Sequence, residues 1–480
     1  MKDSNLLLQE FINTIADEHL KIAVVGDILL DEFYQVEVNR ISPEFPIPVM
    51  MSEWRPPTMT LPGGAANVAY QLQPFNVDCT LFGLADPEAT EILTRDFGIR
   101  LEHMSGGLLT PRKRRFFDKD LPLCRWDIEH MGDLDCENLV AARKSLLDGF
   151  EAYMYREEVD IVILSDYGKG FFHGDTAQEF IEICNEYDVP TLVDPKRGPL
   201  SQWAGCTIFK PNLQEVEGFC KVKETYRENL LQELDAAALV VTMGGDGVRT
   251  HVNVEPPTLY NLPKPVQGHP LGYSGAGDCF AAVYAMAYAL EFSFKEASTI
   301  AHHAGCLYVQ KKHNEPVTPF QLREHIDPIG AKIIQAEKLA PMLHDIDASK
   351  VFTNGCFDLL HLGHLKILEF AKAQGDILIV GIDSDENVQA LKGSDAPIKG
   401  QDERMRIIAS LDFVDFVVPF DGSVHDLIKK IGSVNLLVKG SDYKADKVIG
   451  ADLVDQVIIY PLVSGFSTTT TIRNIKCPDN

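Results

Sequence analysis

Basic residues are scarce in this 480-residue chain: 44 Lys and Arg stand against 70 Asp and Glu, a formal charge of −26. A surface of that sign repels phosphate backbones and anionic lipid, which argues against a nucleic-acid partner or a membrane surface. Long apolar runs are missing as well. The longest, Cys279 to Phe292, has 14 residues, short of the roughly 18 that a bilayer span requires, and reads as a buried core helix. The ten cysteines include no Cys-x-x-Cys pair, and disulfide frameworks belong to small secreted domains. Met1 to Leu20 is acidic and amphipathic, without the basic head and apolar core of a signal peptide. The expectation is a cytoplasmic protein with reduced thiols.

What the chain does have is a repeated alternation of short β-branched runs with helical patterns, the signature of parallel-sheet α/β domains. At roughly 100–200 residues per domain, the length predicts more than one. Strands are expected at Ile22–Val25, Ile161–Leu164, Thr191–Val193 and Leu239–Thr242. A second series falls at Val351–Thr353, Ile377–Ile382, Phe413–Val418 and Leu436–Lys439. Between the series, Glu315-Pro-Val-Thr-Pro319 and Ile326-Asp-Pro-Ile-Gly330 interrupt regular structure. The reading is a domain over 1–325, a linker over 326–347 and a smaller domain over 348–480.

The first chemical centre is Gly275-Ala-Gly-Asp278, which runs into the apolar helix. Small residues let a phosphate approach the backbone, and the helix start offers unpaired N–H donors and a positive dipole end. An Asp in the first turn can take the proton of an attacking hydroxyl while the N–H groups hold the phosphoryl. Four residues alone fit a simple capped helix start equally well. Other segments decide between these readings: Asp27 and Asp31 after the first strand, Leu61-Pro-Gly-Gly-Ala-Ala-Asn67, Leu164-Ser-Asp-Tyr-Gly-Lys-Gly170, Val193-Asp-Pro-Lys196, Lys210-Pro-Asn-Leu-Gln-Glu215 and Val241-Thr-Met-Gly-Gly-Asp-Gly247.

Together, over roughly residues 20–320, these resemble the ribokinase (PfkB) family of sugar kinases. The resemblance implies a ribokinase-like three-layer α/β domain with Asp278 as general base and Gly275, Ala276 and Gly277 as anion hole. It further implies Asn212 and Glu215 organising Mg²⁺ indirectly through the ATP phosphates, and Thr242, Gly244 and Gly247 as the ATP-phosphate loop. Asp27, Gly63, Gly64 and Asn67 would contact sugar hydroxyls. Gly272 departs from the family pattern, which usually places Asp there. The basic run Pro111-Arg-Lys-Arg-Arg115 reads either as a solvated strand face or as a cradle for a phosphate already on the sugar, centred on Arg114 and shared with Lys169, Lys196 and Arg125.

The second centre is Asn354-Gly-Cys-Phe-Asp-Leu-Leu-His-Leu-Gly-His364. Two histidines spaced by a glycine at a helix start can grip an anion from both sides. A zinc site is the rival reading, although no partner Cys or His follows at ligand spacing. With Gly381-Ile-Asp-Ser-Asp385, Leu391-Lys-Gly393, Glu403-Arg404, Lys439-Gly-Ser-Asp-Tyr443 and Ser467-Thr-Thr-Thr-Thr-Ile-Arg473, this region resembles the cytidylyltransferase-like nucleotidyltransferases over about 348–475. The resemblance implies a Rossmann-like domain in which His361 and His364 hold the α- and β-phosphates, aided by Lys392 and Mg²⁺. Thr353, Gly355, Phe357, Asp358, Arg404 and Lys439 would frame the nucleotide, while Ser467, Thr468, Thr469 and Arg473 would bind the outer phosphates.

A kinase fused ahead of such a transferase is similar to the bifunctional heptose kinase/adenylyltransferases of bacterial ADP-heptose synthesis. That similarity implies ATP-dependent phosphorylation of D-glycero-β-D-manno-heptose 7-phosphate at C1, removal of the 7-phosphate by a separate phosphatase, and adenylyl transfer to heptose 1-phosphate, feeding lipopolysaccharide synthesis. It also implies a homodimer formed through the kinase domain. The same chemistries on another sugar or with CTP, and a nucleotide-binding protein with a degenerate kinase half, remain alternatives.

Overall fold

The computed structural model describes residues 4–52, 56–104, 107, 109–119, 121–129, 134–196, 198–220, 227–253, 258–262, 274–311, 313–344, 346–393, 396–440 and 448–461. The chain divides into two compact units, Met1–Leu322 and Arg323–Asn480.

The first unit is built on a nine-stranded sheet in the order Thr258–Leu262, Val248–Val252, Ala238–Thr242, Ile208–Phe209, Thr191–Asp194, Ile161–Ser165, Lys21–Gly26, Asp78–Leu84, Arg100–Met104. From Ala238–Thr242 to Arg100–Met104 the pairing is parallel. Strands such as Ile161–Ser165 are buried along their whole length, as expected of a sheet covered on both faces. The chain leaves Lys21–Gly26 toward one side of the sheet and returns on the other with Ile161–Ser165. The crevice beyond these two strand ends is therefore a topological switch point, where α/β sheets bind ligands. Helix Ala276–Ala289, the apolar run of the sequence, is buried from Asp278 to Ala287 and packs on helices Phe294–Tyr308 and Ala65–Leu72.

A second, four-stranded sheet departs from the hydrophobic pattern, because charge interrupts Ile28–Gln35 and Arg112–Asp118 and Met59–Gly64 ends in Pro and Gly. Its order is Met59–Gly64, Ile28–Gln35, Arg112–Asp118, Leu121–Ile128. Asp31, Lys113 and Asp127 lie in register across it, as do Glu32, Arg114 and Trp126. Alternation along a strand puts these two sets on opposite faces.

The second unit carries a five-stranded parallel sheet in the order Phe416–Phe420, Ile377–Asp383, Lys350–Gly355, Leu436–Gly440, Gln456–Tyr460. Lys350–Gly355 is central, so its C-terminal end is again a switch point. One strand begins later than the sequence suggests, at Phe416 rather than Phe413. The Val414 N–H bonds back to the Leu411 carbonyl and the Asp415 carboxylate receives the Leu378 N–H, closing a turn over those residues. The segment 326–347, read as a linker, instead packs into this unit. Helix Ala336–His344 buries Ala336, Leu339 and Leu343 against Phe352, Ile379 and Leu427, and the Ile334 N–H bonds the Val417 carbonyl. Apolar residues three and four apart make that helix amphipathic, and the second core supplies the surface it covers.

Candidate active sites

Gly275 caps helix Ala276–Ala289 with φ +85°, a left-handed conformation open to glycine at little cost. A Cβ there would lie 2.4 Å from the Tyr308 hydroxyl and 2.6 Å from Asn67 Nδ2. The turn is therefore close-packed and has no room for a side chain at this position. One helical step on, Asp278 is 2% exposed. Its Oδ1 accepts the Tyr167 hydroxyl at 2.5 Å and its Oδ2 accepts Asn67 Nδ2 at 2.7 Å. Burial raises the Asp278 carboxyl above the usual range, and the hydrogen bonds from Tyr167 and Asn67 oppose that rise by favouring the anion.

Asp278, Ala276 and Gly277 share a cavity of about 600 Å³ with Asn212, Glu215, Thr242, Gly244 and Gly247. The structure thus gathers most of the residues expected for ATP. Asn212 and Glu215 form a capping box on helix Leu213–Phe219, and Glu215 also pairs with Lys196 at 3.1 Å. Sequence reasoning assigned no role to Lys210 or Asp194, which form a buried ion pair of 2.9 Å in the same cavity. Burial pushes the Asp194 carboxyl up to about 7, against the pull of Lys210. Both stood in recognised segments, Val193-Asp-Pro-Lys196 and Lys210-Pro-Asn212, and that was the available signal.

Other expected contacts take different places. Asp27 is buried, and its carboxylate is filled by the backbone N–H groups of Tyr167, Lys169 and Phe171. It therefore fixes the 166–171 loop rather than presenting itself to a sugar. Asp31 is the acid nearer the expected sugar contacts: its Oδ2 would lie 3.1 Å from a Cβ at Gly63 and accepts Asn314 Nδ2, while its Oδ1 pairs with Arg115. Gly64, at φ +59°, has its Cβ direction closed by the Asp27 carbonyl and Leu29, so its contribution is backbone shape.

Arg114 does not take the phosphate-cradle position expected of it. It donates to the buried Glu32 at 2.7 Å and lies over the Tyr34 and Trp126 rings, on the face of the small sheet opposite Asp31. The cations on the Asp31 face are Lys113, Arg115 and Arg125. Lys113 Nζ stands 4.8 Å from the centre of the Tyr167 ring. Burial lowers the Lys113 ammonium, and the charges of Asp31 and Asp278 counter that effect. Arg115 reaches Asp31 and the Ser274 hydroxyl beside the Gly275 turn. Lys169 pairs with Glu129. Which face a charged strand residue takes depends on its partner strand, and the sequence pattern of four consecutive cations carried no such information.

In the second unit His361 is the N-cap of helix Leu362–Lys372, directly beyond the central strand. The His361 and His364 rings stack with centroids 3.7 Å apart and planes 16° apart. The His361 N–H points at His364 Nδ1 from 3.4 Å, which assigns the ring proton of His364 to Nε2. Burial, the neighbouring His361 and the Lys392 charge push His364 down to about 4, and burial lowers His361 too. The pair is neutral at ordinary pH and presents N–H donors without an added positive charge. Among the described residues no group of three or more His, Cys, Asp and Glu is placed to hold a metal ion.

Lys392 is exposed, with its charge acting on both histidines. Lys439 donates to the Asn354 side chain at the end of the central strand, where Thr353 is buried. A Cβ on Gly355 would meet the Phe357 ring at 3.1 Å, and that ring lies 5.2 Å from His364. Arg404 and Asp358 depart from their expected role as nucleotide contacts. Arg404 is 0% exposed and donates to the carbonyls of Lys399, Cys356 and Asp383 and to the Asp385 carboxylate. Asp358 is buried and accepts the Ile398 and Lys399 N–H groups. Both tie loops together around the site. Ser467, Thr468, Thr469 and Arg473 lie outside the described residues, as does Gly272.

Sequence comparison runs the length of the chain. The bifunctional protein HldE of Pseudomonas syringae pv. tomato is 34% identical over 479 residues, covering 95% of this chain and 97% of that protein. The HldE protein of Haemophilus influenzae is also 34% identical, with the same coverage.

The chain belongs to the HldE family of bifunctional proteins.

Within this chain, the family model described as pfkB family carbohydrate kinase matches residues 137–320, and the one described as cytidylyltransferase-like matches 352–465. The crystal structure of phosphofructokinase-2 from Escherichia coli in complex with potassium superposes with a TM-score of 0.52 at 15% identity, covering 64% of this chain and 98% of that one. That likeness establishes a ribokinase-type fold. The chain is a kinase and a nucleotidyltransferase in one polypeptide, and among its described residues no helix is long and apolar enough to cross a membrane.

Proposed function

We propose that this enzyme phosphorylates D-glycero-β-D-manno-heptose 7-phosphate at C1 with ATP and, after a separate phosphatase removes the 7-phosphate, transfers AMP from ATP to heptose 1-phosphate to give ADP-heptose and pyrophosphate. The observation that carries this reading is the pairing, in one HldE-family chain, of a buried acid at an anion-binding turn with an imidazole pair beyond a switch-point strand.

In the first unit the C1 hydroxyl gives its proton to Asp278 as its oxygen attacks the γ-phosphorus, and ADP departs. The backbone N–H groups of 275–277 face the charge that develops on the phosphoryl oxygens. Asp31 and Gly63 hold the sugar, and Lys113, Arg115 and Arg125 receive its 7-phosphate in place of Arg114. In the second unit no general base is needed, because the sugar 1-phosphate is already anionic. It attacks the α-phosphorus while His361 and His364 donate N–H bonds to phosphate oxygens and Lys392 and Lys439 add charge. The Ser467–Arg473 run would take the outer phosphates.

Magnesium suits the kinase pocket as a companion of the nucleotide. Glu215 and Asp194 are already paired with lysines, so the ion would be held mainly by phosphates and water, with Asn212 and Glu215 behind them. When bound it neutralises phosphate charge. Strands Glu37–Ile41 and Pro48–Met51 pair as an antiparallel hairpin, whose exposed Phe45, Ile47 and Met50 adjoin the strand of Leu121 and Trp126, through Met50 Sδ at 3.9 Å from Cys124 Sγ. An apolar surface of this kind supports a homodimer through the kinase unit. A cytoplasmic location suits these soluble substrates.

Mass spectrometry of products from heptose 7-phosphate, a phosphatase and ATP tests the reading. ADP-heptose is expected; formation with another sugar or with CTP alone would redirect it.

A further inference from the structure

The kinase base is gripped by a residue to which neither the sequence motifs nor the family match assigns a role. Tyr167 is held at three points. Its backbone N–H bonds Asp27 Oδ2 at 2.8 Å, its ring lies under Lys113 Nζ at 4.8 Å, and its hydroxyl donates to Asp278 Oδ1 at 2.5 Å. The same Asp27 carboxylate receives Lys169 N at 3.0 Å and Phe171 N at 3.1 Å, so the loop presenting the phenol is fixed on both sides of Tyr167. Asn67 takes the other oxygen of Asp278.

We propose that Tyr167 is the positioning residue of the kinase: its hydroxyl clamps Oδ1 of Asp278, fixing the rotamer in which a remaining lone pair of the carboxylate faces the sugar hydroxyl. The inference rests on the kinase reading above. Burial and the charge of Asp278 hold the Tyr167 phenol well above its usual range, so it stays protonated and acts as a donor. Donation to the anion favours the ionised carboxylate that a base must be. It therefore offsets the burial that pushes Asp278 the other way. The other titratable groups acting on Asp278 are Lys113 from the small sheet, Lys210 and Asp194 from the main sheet, Tyr308 from the neighbouring helix and Cys279 on its own. None of these is removed by deleting the phenol oxygen.

The test is the pH dependence of kinase kcat/KM in wild type and Tyr167→Phe, with full-length protein, heptose 7-phosphate and ATP. Removing a hydrogen bond to a charged group should move the acidic limb up by about one to two pH units. Activity lost at neutral pH should then return in part as the pH is raised, to a plateau still below wild type because the carboxylate rotamer is no longer held. The transferase rate serves as internal control and should not change. A clamp that served only to hold the loop would lower activity by the same factor at every pH, and that result overturns the proposal. So does an unmoved limb, since Asp194 bonds Lys210 and a limb belonging to it would stay in place. Wild-type protein without kinase turnover would instead count against the functional reading itself.

Discussion

Replacing Gly275 by alanine probes the anion-binding turn at its tightest point. The residue sits at φ +85°, and a left-handed conformation costs a non-glycine residue roughly 1–2 kcal/mol. The new methyl group would also lie 2.4 Å from the Tyr308 hydroxyl and 2.6 Å from Asn67 Nδ2, so one of them must move. Tyr308 is anchored to the Ser274 carbonyl and Asn314. Asn67 is the partner of Asp278, and losing a buried bond to a carboxylate costs about 1–3 kcal/mol. Together these give a destabilisation of about 2–5 kcal/mol, confined to the first unit. Misalignment of the base on a scale of an ångström should lower kinase kcat/KM by about a hundredfold. ADP release coupled to pyruvate kinase measures the first activity, and pyrophosphate release from ATP and heptose 1-phosphate measures the second on the same preparation. Wild-type kinase kinetics in Gly275→Ala would refute the claim that this turn is a close-packed phosphate cradle.

Lys113→Met should raise KM for heptose 7-phosphate about tenfold or more with KM for ATP unchanged, whereas Arg114→Met should change it little, in steady-state assays; the reverse order would return the cradle to Arg114. Histidine side-chain ¹⁵N NMR should find His364 as the Nε2–H tautomer, neutral down to about pH 4, because burial opposes its protonation; an imidazolium at pH 6 would contradict this. Arg404→Ala should destabilise the second unit by roughly 3–5 kcal/mol in urea unfolding, without rescue by lysine; an unchanged midpoint with impaired ATP binding would make Arg404 a ligand contact after all.

The sequence carried the central strands of both main sheets, since buried β-branched runs such as Ile161–Ser165 and Ile377–Asp383 leave a local signal, while outer strands such as Arg100–Met104, Thr258–Leu262 and Gln456–Tyr460 were not read from it. It also carried the anion-binding turns, because glycine spacing at a helix start is itself a local pattern. The rest depended on register or on distant partners. The contrast between Lys113 and Arg114 arises only when Arg112–Asp118 pairs with Ile28–Gln35. Arg404 looks like a phosphate ligand until its guanidinium is seen to close three backbone carbonyls. Tyr167 meets Asp278 across 111 residues, a separation over which sequence spacing has no reach.

Asp278→Asn and His364→Ala in the full-length protein, each followed by ³¹P NMR of both half-reactions, measure the separation of the two chemistries most directly. Asp278→Asn should abolish C1 phosphorylation and leave adenylyl transfer to supplied heptose 1-phosphate intact, and His364→Ala should do the opposite. Either variant losing both activities while remaining folded, or neither, would contradict two independent sites.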